Sequence, residues 1–328
     1  MTTTVGTIRI AGAGPAGLTL AAALLAAGTP PERIVVHETI DEAAATGVGA
    51  FLGLSPTIFG ALGVRSEFGP VAELFAQAPR IDAIRLVQPD GADLTRPLPA
   101  PLRMVTRHGL VAALLDAARG LGADVRFRSP IPATDETSTD HWTIGADGVH
   151  STVRRSPGFA HLAAATAPGT SARFAPGFTG PAPDPAPNVL TFFRGDGGSA
   201  AGFLTDARGT LAFTRTPDGA RLGELGFSLG PDVLAALDAQ SGRPIQIWET
   251  ALPERLPGGA NPWRAGRSVL IGDAAHAKSP ASGSGAADAI TDALHVAPAL
   301  NSGSEAAVTA ALDELLDREA VRRTPPPR

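Results

Sequence analysis

The sequence predicts an α/β protein in which a doubly wound parallel sheet is joined to an antiparallel sheet. Three observations predict it. The chain opens on a strand-like, a helix-like and a second strand-like segment with short Gly- or Pro-containing connections, the pattern of a βαβ unit. Between residues 189 and 216, three β-rich runs follow one another at hairpin spacing, as in an antiparallel meander. Finally, 328 residues leave room for two domains at roughly 150 residues each.

The first strand is read at residues 7–11 and an alanine- and leucine-rich helix at 16–27, stopped by Gly28-Thr29-Pro30-Pro31. The second strand, residues 33–38, is nearly all β-branched or apolar. Residues 110–119 form a second alanine-rich helix, residues 124–127 a short strand, and residues 129–139 a polar, turn-rich stretch. Residues 142–148 run into a Gly-Ala-Asp-Gly turn. Residues 163–187 are dense in Ala, Pro and Gly and read as a crossing connection. The meander follows as runs 189–194, 200–205 and 210–216, separated by Asp196-Gly197-Gly198 and Asp206-Ala207-Arg208-Gly209. Residues 233–240 read as a helix, 268–271 as a buried strand, the sequence from Ala287 as helical, and 304–323 as a terminal helix. Residues 18–27 have the length of a signal-peptide core, but they follow a Gly-rich turn with no basic leader beyond Arg9. No run reaches the ~18 apolar residues of a membrane span. A cytoplasmic protein with no membrane span is the expectation.

What the chain lacks narrows its chemistry. It has no Cys and no Tyr, and of its 27 basic residues all but Lys278 are Arg. Thiolate metal sites, iron–sulfur clusters, disulfides and Cys nucleophiles are excluded. So is a P-loop, because Ala277 rather than Gly precedes the one Lys. The Arg-for-Lys bias, with abundant Ala, Gly and Pro, reads as codon usage. A net charge of −5 gives no basic footprint for nucleic acid. The seven histidines form no HExxH pair and no close pair on one helical face, so no metal site is expected.

The strongest motif is Gly12-Ala13-Gly14-Pro15-Ala16-Gly17, placed between the first strand and the first helix. Gly12 permits the tight turn, Gly14 lets the backbone approach a pyrophosphate, and Gly17 lets helix and strand pack closely, while free N–H groups at the helix start favour the phosphates. Glu38 ends the second strand 21 residues after Gly17, in position to accept from a ribose diol and to repel a 2′-phosphate. This is a dinucleotide-binding, Rossmann-like opening. A competing motif, Gly226-Phe227-Ser228-Leu229-Gly230, followed by Asp273 and His276, has the residue order of a serine hydrolase, but the turn-like residues 216–221 before it are not a buried strand.

Two later segments sharpen the reading. The runs Gly145-Ala146-Asp147-Gly148-Val149-His150-Ser151-Thr152-Val153-Arg154 and Gly272-Asp273-Ala274-Ala275-His276, in order after the fingerprint, resemble the FAD-dependent monooxygenases of the aromatic-hydroxylase (p-hydroxybenzoate hydroxylase-like) family. The resemblance spans about residues 8–300. It implies that Asp147, with Arg154 downstream, lies in the loop near both FAD and the nicotinamide cofactor, and that Asp273 binds the ribityl chain. It also puts residues 277–286, including Gly283, beside the isoalloxazine, with Pro280 at the ring, the Gly285–Ala286 backbone near its pyrimidine oxygen, and Arg107 on the FAD side. Backbone donors there would stabilise charge on reduced flavin. His276 would stand near the flavin, as a hydrogen-bonding group or a general base. Lys278 would contact substrate or phosphate, or be a solvated loop residue.

The resemblance implies an FAD-binding domain from residues 1–75, 101–159 and 263–303, a substrate domain from 76–100 and 160–262, and a C-terminal helix and tail at 304–328. It implies a single-component monooxygenase, a monomer or homodimer, that uses NADH or NADPH and dioxygen to hydroxylate or epoxidise a small apolar substrate through a flavin hydroperoxide; a flavin reductase or oxidase is the alternative. Without Tyr there is no phenolic relay to deprotonate a phenol, which favours an indole-like, polycyclic or alkene substrate within the apolar aromatic, polycyclic or alkene class. Phe192, Phe193, Phe203 and Phe213 lie on the meander, as core or as a pocket lining. The chain departs from the family in having Ala43, Ala44, Ala45 and Thr46 where an Arg is often found, Ala287 in place of the usual Asn, and a shortened stretch between Asp124 and Asp147.

Overall fold

The computed structural model describes residues 6–47, 50–63, 68–131, 140–181, 183, 186–278 and 284–323. The opening is a βαβ unit: β1 (Thr7–Ala11), α1 (Pro15–Ala26) and β2 (Ile34–His37), with β1 and β2 parallel. Ile8, Ile10, Ile34 and Val36 are fully buried, as strands covered on both faces require.

Residues 42–106 hold elements that periodicity alone does not announce. They are α2 (Glu42–Gly47), β3 (Phe51–Leu54), α3 (Pro56–Gly63), α4 (Gly69–Gln77), β4 (Arg80–Val87) and β5 (Asp93–Thr106). In β5 three prolines and a largely exposed surface hide the strand pattern. Next come α5 (Arg107–Gly120), capped by the Thr106 hydroxyl accepting from Gly109 N–H, then β6 (Asp124–Arg126) and β7 (His141–Gly145).

The expected crossing connection at 163–187 instead contains β8 (Thr170–Phe178). Pairing with a neighbouring strand overrides its Pro- and Gly-rich composition. The register slips between Thr210 and Ala212, opposite Phe178 and Ala175, and so leaves Pro176 and Gly177 out of the ladder. The meander forms as read, from β9 (Val189–Arg194), β10 (Ala200–Asp206) and β11 (Gly209–Pro217). The chain ends with α6 (Pro231–Gln240), β12 (Ile245–Gln246), β13 (Arg264–Ala265), β14 (Ser268–Leu270), the short α7 (Asp273–His276), α8 (Gly285–Ser302) and α9 (Glu305–Arg323).

Two sheets result. The first has the order β13-β14-β7-β1-β2-β6, parallel except for the β13–β14 hairpin, with α1 packed against α5 and α8. From β1 the chain steps outward to β2 and β6, then returns to β7 on the other side, so the order reverses between β1 and β7. The crevice at the carboxyl ends of these two strands is where such sheets bind ligands. The second sheet has the order β12-β8-β11-β10-β9-β4-β5-β3 and is antiparallel except for the β4–β9 pair.

This second sheet is strongly curled. Strands β8 and β3 are six places apart, about 29 Å if flat at ~4.8 Å per strand, yet the Phe174 and Phe51 rings meet edge to face at 5.4 Å. Its convex face buries Phe178, Phe193 and Phe203 against Val233 and Leu237 of α6. Its concave face collects Ile81, Met104, Leu190 and Leu204 with Phe51, Phe192, Leu211 and Phe213. The four meander phenylalanines are thus divided by strand alternation: Phe193 and Phe203 are core, whereas Phe192 and Phe213 face the trough.

A tight joint of the parallel sheet lies at Gly17, where a methyl group would fall 2.0 Å from the Gly12 carbonyl oxygen. Backbone rather than a movable side chain is in the way. Gly17→Ala is expected to cost about 1–3 kcal/mol through overpacking, measured as a lower urea midpoint at unchanged slope. Stability equal to the parent would contradict this close packing of α1 on β1.

Candidate functional site

Four loops leave the carboxyl ends of the parallel strands side by side, and each carries a motif. Gly12 follows β1 at φ +98°, and a side chain there would meet the Ala146 carbonyl oxygen at 2.4 Å, so the turn after β7 lies directly against the fingerprint. Gly12 N–H also donates to His37 O at 2.7 Å, and Ala146 N–H to Ala11 O at 2.9 Å. Ile271 N–H donates to Gly145 O, which brings up Gly272 and Asp273. Ala13 N–H donates to Glu38 Oε2 at 2.9 Å. Because Oε1 already accepts from the Thr39 hydroxyl and Ile40 N–H, the lone pair left for a diol is on Oε2.

The centre of this edge fits a pyrophosphate. Gly14 caps α1 without a side chain and is followed by Pro15, while Ala16 and Gly17 are buried in the first turn. A Cβ built on Gly14 would find only the Arg107 guanidinium, 3.9 Å away. Arg107 starts α5, its N–H held by Ala50 O at 2.7 Å. Burial lowers its pKa, and the charges of Asp273 and Glu38 oppose that shift. The fingerprint, Glu38, Arg107 and Asp273 therefore share one electrostatic neighbourhood, which matches a dinucleotide carrying a diol, a diphosphate and a polyol.

Asp147 accepts from Thr152 N–H through Oδ2 at 2.6 Å, and its buried Oδ1 has no partner among the described residues. Arg154 is buried and donates to the carbonyls of Ala274 at 2.9 Å, Asp273 at 3.3 Å and Val149. It thus ties the Asp147 loop to the Asp273 loop. Asp273 is exposed, although protein crowds its carboxyl group. That crowding raises its pKa, while His276 and Arg107 pull it down. Gly285 opens α8 beside it: a Cβ there would lie 3.9 Å from Asp273 Oδ1. Ala286 follows in the first turn of α8. Pro280 and Gly283 lie outside the described residues.

His276 and Lys278 are committed to the protein. His276 is 4% exposed, and its Nε2 lies 2.6 Å from Asp292 Oδ2, the oxygen that also accepts from Gly272 N–H at 2.9 Å. Burial lowers the imidazole pKa, but Asp292 and Glu319 outweigh it and the net shift is upward. Lys278 pairs with the buried carboxylates of Asp288 and Glu319. The sequence reading missed these acids. Their signal was two aspartates, 288 and 292, one turn apart on the apolar face of α8, where Ala289, Ile290 and Ala293 are also buried. Ser228 is exposed beside Gly91 while His276 is bound to Asp292, so the hydrolase residues are not assembled.

Beyond the cofactor edge lies the trough of the curled sheet. Phe51 is paired in register with Thr106, the residue before Arg107. From Phe51 an aromatic wall continues to Phe174, then to Phe213 at 6.2 Å and Phe192 at 5.5 Å. Gly202 lies across from both Phe192 and Phe213, and a Cβ there would fall 2.3 Å from the Phe213 ring. A cavity of about 440 Å³ opens nearby, lined by Met104, Thr106, Leu74, Phe178 and Leu211 among others. Among the described residues no group of three or more His, Cys, Asp or Glu could hold a metal, and no helix is long and apolar enough to cross a membrane.

Comparison with known proteins agrees with this geometry. Residues 246–325 match the FAD binding domain family. The chain is 27% identical over 340 residues to the probable 2-heptyl-3-hydroxy-4(1H)-quinolone synthase AqdB2 of Rhodococcus erythropolis, covering 96% of this chain and 85% of that protein. The fold is shared with CtdE, solved in complex with FAD and a substrate (TM-score 0.76, 18% identity, 97% of this chain and 86% of that one). It is shared also with PqsL of P. aeruginosa in complex with 2-aminobenzoylacetate (TM-score 0.74, 20% identity, 95% and 91%). Fingerprint, matched segment and relatives together agree with a resemblance to the FAD-dependent monooxygenases of the aromatic-hydroxylase type.

Proposed function

We propose that the protein inserts one atom of dioxygen into an apolar aromatic, polycyclic or alkene substrate, by hydroxylation or epoxidation, with NADH or NADPH as reductant. The observation that carries this reading is the trough. Its aromatic wall of Phe51, Phe174, Phe213 and Phe192 starts across a strand pair from Thr106 and Arg107, so a flat apolar ring seated on it would border the cofactor edge. The relatives' names point the same way: one is a hydroxyquinolone synthase, and one neighbour was crystallised with 2-aminobenzoylacetate, both aromatic compounds.

FAD, when bound, supplies the electron transfer and the activation of dioxygen. The chain's own residues have simpler tasks. The α1 N-terminus and Gly14 receive the diphosphate; Glu38 Oε2 accepts from the ribose, and Asp273 from the ribityl hydroxyls. Arg107 balances the two carboxylates and faces the diphosphate. The start of α8 at Gly285 and Ala286 offers backbone N–H groups to negative charge on the ring. The trough orients substrate and keeps water out. No side chain has to act as nucleophile.

Asp273→Ala removes the ribityl acceptor, and FAD retained through gel filtration should fall by at least tenfold; parental retention would count against the ribityl assignment. With ¹⁸O₂ as oxidant and a panel of aromatic and alkene substrates, mass spectrometry should find one labelled oxygen in the product. Reductant consumed to peroxide alone across the panel would instead indicate a reductase or oxidase. Gly202→Ala pushes on Phe213 without touching the cofactor edge. It should raise substrate KM and the fraction of reductant lost to peroxide several-fold while FAD affinity stays within twofold. Unchanged coupling in this variant would remove Phe213 from the substrate wall.

A further inference from the structure

The single lysine of the chain sits in a buried ion cluster joining the Asp273 segment to the C-terminal helix. Lys278 Nζ lies 2.7 Å from Asp288 Oδ2 and also pairs with Glu319; both carboxylate side chains are 3% exposed and that of Lys278 10%. The second oxygen of Asp288 pairs with Arg322, and that of Glu319 with Arg323 one turn along α9. Arg323 reaches on to the carbonyls of Thr250 at 2.7 Å and Ala277 at 3.5 Å. The Ala277 carbonyl also accepts from Thr250, from its N–H at 3.0 Å and its hydroxyl at 3.3 Å. At the other end of the segment, Asp292 holds Gly272 N–H and His276.

Residues 272–278, which include Asp273, are thus gripped at both ends by carboxylates: Asp292 of α8 at one, and Asp288 of α8 with Glu319 of α9 at the other. A solvated loop lysine needs none of this. A buried ammonium requires paired charge, and its compact, rotatable head can serve two carboxylates at once. In a chain that uses Arg at every other basic position, the site that holds Lys is one where an ammonium is wedged between two acids.

We propose that Lys278 is a positioning residue and α9 a latch. The Asp288–Lys278–Glu319 bridge fixes Lys278 against the first turn of α8, and with it the two ends of the segment that the family resemblance sets beside the isoalloxazine. The C-terminal helix, remote from the fingerprint in sequence, thereby helps set the flavin's binding geometry. This inference rests on the FAD reading above.

The test compares Lys278→Met and Glu319→Gln with Arg255→Gln. The last frees α9 from the loop at residue 255 by removing partners of Asp313 and Asp317, without touching the cluster. FAD is titrated into each apoprotein by flavin fluorescence, and the visible spectrum of the bound flavin is recorded beside the melting temperature. Lys278→Met and Glu319→Gln should each weaken FAD binding at least tenfold and alter the band shape of bound flavin. Arg255→Gln should lower the melting temperature and leave both flavin readouts unchanged. Either cluster variant binding FAD within twofold of the parent with the parental spectrum overturns the latch, as does Arg255→Gln changing the flavin readouts equally. If both cluster variants fail to fold, Arg322→Gln, at a more exposed position, should weaken FAD at least threefold, and parental affinity there overturns the proposal. A parent chain that binds no FAD would overturn the flavoprotein reading itself.

Discussion

The cofactor edge depends on a contact between two stretches of backbone. Gly12, turning at φ +98°, lies so close to Ala146 that no side chain could stand between them. That approach exists because β1 and β7 are adjacent parallel strands at the point where the strand order reverses. Remove it and the fingerprint and the Asp147 loop separate. Arg154, which reaches the Asp273 loop only through main-chain carbonyls, would then lose its station. Backbone carbonyls accept without titrating, so the join between the two loops is insensitive to pH in a way that a carboxylate partner would not be.

Charge performs the complementary task behind the edge. Asp288 and Asp292 are buried acids one turn apart on α8, and each is tolerable only because it is paired. Breaking a buried pair by removing one partner typically costs about 3–5 kcal/mol, because the remaining charge is left uncompensated. Such groups contribute less to net stability than an apolar core of equal volume, and what they provide is a defined geometry. Here that geometry belongs to the short stretch carrying Asp273. The N-terminus of α9 is secured independently, by Arg264 and Arg267 pairing with Glu305 and stacking over Trp142.

Much of the parallel sheet was legible in the sequence because its signals are local. Gly12 to Gly17, the apolar strands around them and Glu38 occupy fixed offsets, and the geometry follows from those offsets. The meander was legible for the same reason, since its turns are short. The strands β3, β4, β5 and β8 were not, because their pairing partners are distant in sequence. Pro176 and the three prolines of β5 argue locally against a strand, and only a bulge and a largely exposed surface reconcile them with one. The roles of Asp288, Asp292 and Glu319 were hidden differently: an acid on a helix normally reads as solvated, and only tertiary packing buries these against Lys278 and His276.

The missing residue types acquire a physical meaning at this point. When a bound flavin carries electrons and activates dioxygen, the protein around it needs backbone donors, a few carboxylates, a guanidinium and a dry apolar wall. Gly and Ala supply the backbone donors, Asp and Glu the carboxylates, Phe the wall, and Arg the guanidinium. Loss of Cys, Tyr and nearly all Lys therefore removes little that the chemistry uses. The aromatic trough shows how the economy works. Gly202, by having no side chain, gives Phe213 the space to lie against Phe192, so a glycine shapes the aromatic wall as much as the rings do.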